Sequence, residues 1–134
     1  MDRIHKCIAI VVQDNKFLMV RKHGKDIWTS LGGKVEPGET EEACLLREIK
    51  EELDCDARLL RKLGDFEEKA VFDDAIVCLS AYHTELLGSV RLIDPELQEY
   101  RFIGKEYEKD GVKLPPLIER QIIPRLVSEG LLRW

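Results

Sequence analysis

Three observations predict an α/β fold with a mixed β-sheet covered by helices. Strand-like segments lie on both sides of one amphipathic helix, and a second helical pattern closes the chain. The length of 134 residues suits one domain, 1–134, with a single real core.

The elements follow in order. Ile8 to Val12 is apolar and largely β-branched, Gln13-Asp14-Asn15-Lys16 has turn chemistry, and Phe17 to Val20 returns. This reads as a hairpin. Residues 21–30 are mostly polar, with Trp28 near their end, and Gly32-Gly33 and Pro37-Gly38 punctuate a loop. Thr40 to Leu53 reads as a helix, with Thr40 as N-cap and Ala43, Leu46, Ile49 and Leu53 as its apolar stripe. Further strands are expected near 57–69, 75–84 and 98–103, and a loop over Gly111–Pro116. The tail from Pro116 to Leu132 is helical in pattern, with Leu117, Ile118, Ile122, Leu126 and Val127 facing inward. Pro124 falls inside that pattern. Since proline costs about 3 kcal/mol in a helix interior, a kink or a new helix is expected there.

Composition narrows the function. A chain 44% hydrophobic and 35% charged is globular rather than disordered. With 21 basic against 26 acidic residues the net charge is −5, which argues against a nucleic-acid partner. The strongest apolar run, Cys7 to Val12, is far short of the ~20 residues of a membrane helix. The N-terminal residues carry no signal-peptide pattern, so a cytoplasmic protein is expected, with no membrane partner. The four cysteines form no Cys-x-x-Cys pair and read as buried free thiols rather than disulfides or a zinc site. His5, His23 and His83 are isolated and read as surface or strand histidines.

The segment Leu31 to Cys55 carries the chemistry. Glu48, Glu51 and Glu52 stand at i, i+3 and i+4, so they share a helix face, expected opposite the apolar stripe. Carboxylates gathered this way repel one another and call for compensation. An all-oxygen set of hard ligands suits Mg²⁺ or Mn²⁺. Taken alone, the triplet would read as a solvated acidic face. Its setting changes that. Gly33 is followed after five residues by Glu39, and after seven more by Arg47-Glu48-Ile49-Lys50-Glu51-Glu52-Leu53-Asp54-Cys55. This resembles the Nudix box: glycine, five residues, glutamate, seven residues, then Arg-Glu-aliphatic-x-Glu-Glu-x-Gly-aliphatic. Cys55 stands at the final aliphatic position. Asp54 stands where the family has glycine, which places the departure at the helix exit. Leu31 stands where many members have proline.

The resemblance implies a Nudix-type α/β/α sandwich, with a mixed β-sheet between helices, and a Mg²⁺- or Mn²⁺-dependent hydrolase of phosphoanhydrides. It implies Glu48, Glu51 and Glu52 as metal ligands, with the Gly32 carbonyl and Glu39 as further ones, and Arg47 as the arginine that orients the glutamates. The general base is left open between Glu48 or Glu52 and a distal glutamate, Glu96 or Glu99. Lys34 is a candidate phosphate contact. Trp28, Phe72, Tyr82 and Phe102 are candidates for base stacking. The partner is a small nucleotide, and a homodimer is compatible with the charge. The short chain looks most like a MutT-type nucleoside triphosphate pyrophosphohydrolase. A nucleotide-sugar or dinucleoside-polyphosphate hydrolase, or a non-catalytic nucleotide sensor, are the alternatives.

Overall fold

A computed structural model describes residues 2–70 and 74–134 of the chain. Phe72, a stacking candidate, lies outside the described residues. Strands are β1 (Asp2–Ile10), β2 (Val12–Gln13), β3 (Lys16–Lys22), β4 (Leu31–Lys34), β5 (Asp56–Lys69), β6 (Ala75–Leu87) and β7 (Leu97–Ile103). Helix α1 spans Glu41–Leu53, and a π-helical turn, Ile118–Ile122, runs directly into α2, Ile123–Ser128.

The strands form a four-stranded sheet, β4-β1-β6-β5, and a three-stranded antiparallel sheet, β2-β3-β7. The first is mixed, because β1 runs parallel to β6 and antiparallel to β4. The predicted strand at 8–12 is divided at Val11, where the chain leaves one sheet for the other. Asp14 and Asn15 turn it back with φ of 51° and 61°, the left-handed pair that a two-residue hairpin needs.

Alternation along β1 separates two cores. Cys7, Ala9 and Val11 pack toward α1 with Leu18, Val20, Leu45, Ile49 and Leu53. Ile8 and Ile10 pack toward the C-terminal helical segment with Phe17, Met19, Ile118, Ile122 and Leu126. Helices thus cover the sheets from both sides, as the α/β/α sandwich requires.

Several expectations change. The Gly32-Gly33 segment is a strand rather than loop, with Cys7 opposite Gly33 and Ile8 opposite Gly32. The stripe of α1 is rotated: Cys44, Leu45, Ile49, Glu52 and Leu53 are buried, and Ala43 and Leu46 are exposed. The helix is covered both by the sheet and by β4, so its buried arc includes part of its acidic face. In the tail, Val127 is exposed and helix ends at Ser128, short of Leu132, because Gly130 takes φ 75°. Pro124 sits in the first turn of α2, where its missing N–H costs little. The π turn just before it absorbs the mismatch between the two helical stretches.

The ends of α1 match their residues. The Thr40 hydroxyl accepts from the Ala43 N–H at 3.1 Å. Asp54 closes the helix in the left-handed conformation (φ 50°, ψ 42°) that glycine adopts most easily, and its carboxylate pairs with Arg91 at 2.8 Å. We expect Asp54→Ala to lower the unfolding free energy by about 1 kcal/mol and Asp54→Gly to leave it equal or higher, read by urea unfolding.

Candidate active site

A cleft of about 550 Å³ opens where β4 meets α1. Gly32 and Gly33 explain how close the two elements come. Gly32 takes φ 136°, and a Cβ there would collide with the Cys7 carbonyl oxygen of the paired strand. A Cβ on Gly33 would lie 2.5 Å from the Glu48 carboxyl carbon. A side chain at Gly32 would push β4 off β1, and one at Gly33 would press on the Glu48 carboxyl of the acidic helix.

Glu48 and Glu52 line this cleft together with Gly32, Gly33 and Lys34. Glu52 is only 7% exposed, and its Oε2 is buried without a hydrogen-bond partner. Burial, then the neighbouring Glu48, pushes its pKa up to about 8; the Gly32 backbone hydrogen bond pulls the other way. Burial also raises Glu48, against the pull of Arg47. Two carboxyls held out of water, one with an orphaned oxygen, fit a hard divalent cation. Glu51 is exposed, turned toward Arg47 at 3.3 Å, and is not among the cleft-lining residues.

Arg47 organises this acidic surface. Its guanidinium grips Glu39 through two hydrogen bonds of 2.7 and 2.9 Å, donates to Glu48 at 2.9 Å, and reaches the Lys34 carbonyl at 3.3 Å. One side chain thereby ties together the start of the loop, the residue before the helix cap and the carboxylate in the cleft. The hydrogen bonds from Arg47, and after them the Glu36 backbone, hold Glu39 down to a pKa of about 2.

The distal acids separate. Glu96 lines the cleft. Glu99 does not: it stands opposite Arg21 in the β3–β7 register and is paired with it at 2.9 Å. Two aromatic candidates are also elsewhere. Trp28 is 3% exposed, packed in the core below Arg21 and Arg101, whose guanidinium carbons lie 5.8 and 5.0 Å from its ring centre. Tyr82 is buried on the α1 side, with its hydroxyl donating to Glu41 or Glu42.

Residues that were not singled out in the sequence complete the cleft. Lys6 and Lys22 join Lys34, and Asp94 joins Glu96. Burial and then the charges of Lys22 and Lys34 lower the pKa of Lys6, so the three ammonium groups form one positive wall. Ile4, Ile8, Val77, Leu79, Leu117 and Ile118 supply an apolar floor. The signal for Lys6 was present: a lysine interrupts the apolar alternation between Ile4 and Ile8. Asp94 had no comparable signal, since only the loop before β7 brings it near Glu52.

A mixed sheet between helices, with a glycine strand pressed on an Arg-Glu-x-x-Glu-Glu helix, is the architecture of the Nudix class. The NUDIX domain family model matches residues 3–116, and the chain belongs to that family, whose members act on pyrophosphate bonds and generally use divalent metals. It is 40% identical over 65 residues to an NAD-capped RNA hydrolase NudC of Vibrio atlanticus, a match covering 46% of this chain and 24% of that protein. It is 30% identical over 87 residues to a CTP pyrophosphohydrolase of Escherichia coli, covering 62% of this chain and 63% of that protein. The chain thus spans less than two thirds of these curated relatives, and about half of another NudC it matches over 97% of its own length. Among solved structures, the E. coli ORF135 protein superposes with a TM-score of 0.74 at 28% identity, covering 99% of this chain and 92% of that one. A NUDIX hydrolase from Nitrosomonas europaea reaches 0.81 at 16% identity, covering 99% and 97%, and bears on the fold alone.

Two outcomes follow from the perturbed acids. Glu39 is depressed in the folded state, so its stabilising effect is full above its ordinary value of 4.5 and is lost as pH falls toward about 2. The melting-temperature gap between the parent and Glu39→Gln should therefore be steady at neutral pH and close on acidification. Glu52 is raised, so folding is penalised increasingly as pH climbs from 4.5 through about 8. Without metal, Glu52→Gln should melt higher than the parent at alkaline pH, with the difference vanishing near pH 4.

Proposed function

We propose that this chain is a pyrophosphohydrolase of nucleoside triphosphates, releasing a nucleoside monophosphate and pyrophosphate. One observation carries the choice within the class: Lys6, Lys22 and Lys34 form a positive wall facing the Glu48–Glu52 pair across one cleft. Three cations beside a carboxylate pair suit a chain of phosphates better than a diphosphate joined to a neutral sugar. The names of the relatives, which include a CTP pyrophosphohydrolase, are compatible with this reading.

Mg²⁺ or Mn²⁺ would be held by Glu48 and Glu52, with the Gly32 carbonyl, Glu51 and Glu39 as further oxygens of the same surface. When bound, such an ion neutralises phosphate charge, polarises phosphorus and lowers the pKa of a coordinated water. The chain does the rest. Arg47 opposes the burial-driven rise of the Glu48 pKa and aims its carboxylate by hydrogen bonding, and Glu39 keeps Arg47 in place. The lysines bind and orient the phosphates. Glu96, free of the ion pair that occupies Glu99, takes the proton of the attacking water. The apolar floor excludes water beneath the phosphates and gives the base a dry surface.

The test is turnover of a panel of nucleoside triphosphates, nucleotide sugars and dinucleoside polyphosphates with Mg²⁺ or Mn²⁺. Triphosphates should be preferred, with pyrophosphate as product. Glu52→Gln should lower kcat on the order of 10²-fold or more, and Lys6→Gln should raise KM for triphosphates while leaving kcat within about threefold. Equal effects of Lys6→Gln on triphosphates and nucleotide sugars would remove the support for the triphosphate assignment.

A further inference from the structure

The face of β1 turned away from the cleft carries a second cluster of chemically able side chains. Ile4, Lys6 and Ile8 line the cleft, while His5 and Cys7 point to the first turn of α1. There His5, Cys7 and Glu41 each bring a ligand atom within 4.8 Å of the other two. Glu41 is 24% exposed at its side chain and His5 42%, and both line an open hollow, with Cys7 fully buried behind them. That hollow measures about 310 Å³ and is lined by Arg3, Ile4, His5, Glu41, Asp65 and Cys78.

Hydrogen bonds tie the polar atoms of the cluster together. The Ser80 hydroxyl lies 3.1 Å from Glu41 Oε2 and 2.7 Å from Asp65 Oδ1, yet it has one proton to give. His5 Nε2 lies 2.8 Å from the same hydroxyl and 3.1 Å from Glu41 Oε2. Lys62 and Tyr82 both serve the other Glu41 oxygen, Oε1, at 2.9 and 2.6 Å. Oε2 is the Glu41 oxygen that lies beside His5 Nε2 and accepts from Ser80. The lysine and tyrosine also fix the orientation of the carboxylate, the outer support that metal-binding carboxylates commonly have.

We propose that His5, Cys7 and Glu41 form a second metal site, for a borderline transition-metal ion of the zinc type. The ligand set is one imidazole nitrogen, one thiolate sulfur and one carboxylate oxygen. That mixture suits Zn²⁺ or Co²⁺ and is a poor match for Mg²⁺, so the two sides of β1 would sort two classes of metal. Binding replaces the thiol proton of Cys7, which passes to solvent, by a metal–sulfur bond. The open hollow leaves the fourth position to water, with Asp65 as a further carboxylate lining it. The site links β1 to the first turn of the helix that carries Glu48 and Glu52, so an ion there would brace α1 without touching the substrate.

The experiment is a Co²⁺ titration of the full chain in excess Mg²⁺, followed by absorbance. One equivalent of Co²⁺ should produce a near-ultraviolet thiolate-to-cobalt charge-transfer band, and Zn²⁺ should displace it. Cys7→Ala should abolish the band, His5→Gln should weaken Zn²⁺ binding by at least about tenfold, and Glu52→Gln should leave both readings unchanged. No band in the parent chain, or a band that survives Cys7→Ala, overturns the proposal. His5 is partly exposed and its replacement tolerable, so unchanged Zn²⁺ affinity in His5→Gln overturns it even if the Cys7 variant does not fold.

Discussion

A carboxylate pair held out of water beside a single guanidinium is the constraint on which this structure rests. Glu52 lies in the buried arc of α1 that most helices would fill with aliphatic side chains, and Glu48 stands half-buried beside it. Burial alone would drive both toward the neutral form. Arg47 counters this at Glu48, and Glu39 counters it one step removed by holding Arg47. The protein keeps an unfavourable electrostatic arrangement in place with a short chain of charge-assisted hydrogen bonds. The orphaned oxygen of Glu52 marks where those bonds stop.

Backbone geometry makes that arrangement reachable. β4 is four residues long, and two of them are glycines pressed between the Cys7 carbonyl on one side and the Glu48 carboxyl on the other. Pairing of β4 with β1 brings Lys34 opposite Lys6, and the same pairing brings the glycines over α1. The positive wall and the negative pair therefore arise from a single strand register. Shifting that register by one residue would put side chains where only hydrogens fit.

β1 is the common wall between two chemical environments. Its alternation sends lysine and aliphatic side chains into the phosphate-sized cleft, and histidine and cysteine toward the N-terminal turn of α1. The parallel neighbour β6 contributes to both sides, with Val77 and Leu79 in the cleft and Ser80 and Tyr82 near Glu41. The polar groups of β1 lie in its half-exposed first part, before the buried run that starts at Cys7.

Much of this was legible in the residues. The α/β class, the seat and N-cap of α1, the strands after it and the acidic box follow from local periodicity, capping and spacing, which are properties of short stretches of chain. Even the left-handed exit at Asp54 could be anticipated, because the constraint belongs to one residue. What the sequence could not determine depends on segments far apart in the chain. The rotation of the apolar stripe, with Glu52 buried and Leu46 exposed, was decided by β4 covering α1. The separation of Glu96 from Glu99 was decided by a cross-strand partner, Arg21, and the burial of Trp28 by the packing of two sheets. His5 and Cys7 read alone as an ordinary strand pair; only folding brings Glu41 to them across more than thirty residues. Local rules assign each residue its conformation, but which charges share a cavity is set by long-range pairing, and that is where the chemistry of this protein is decided.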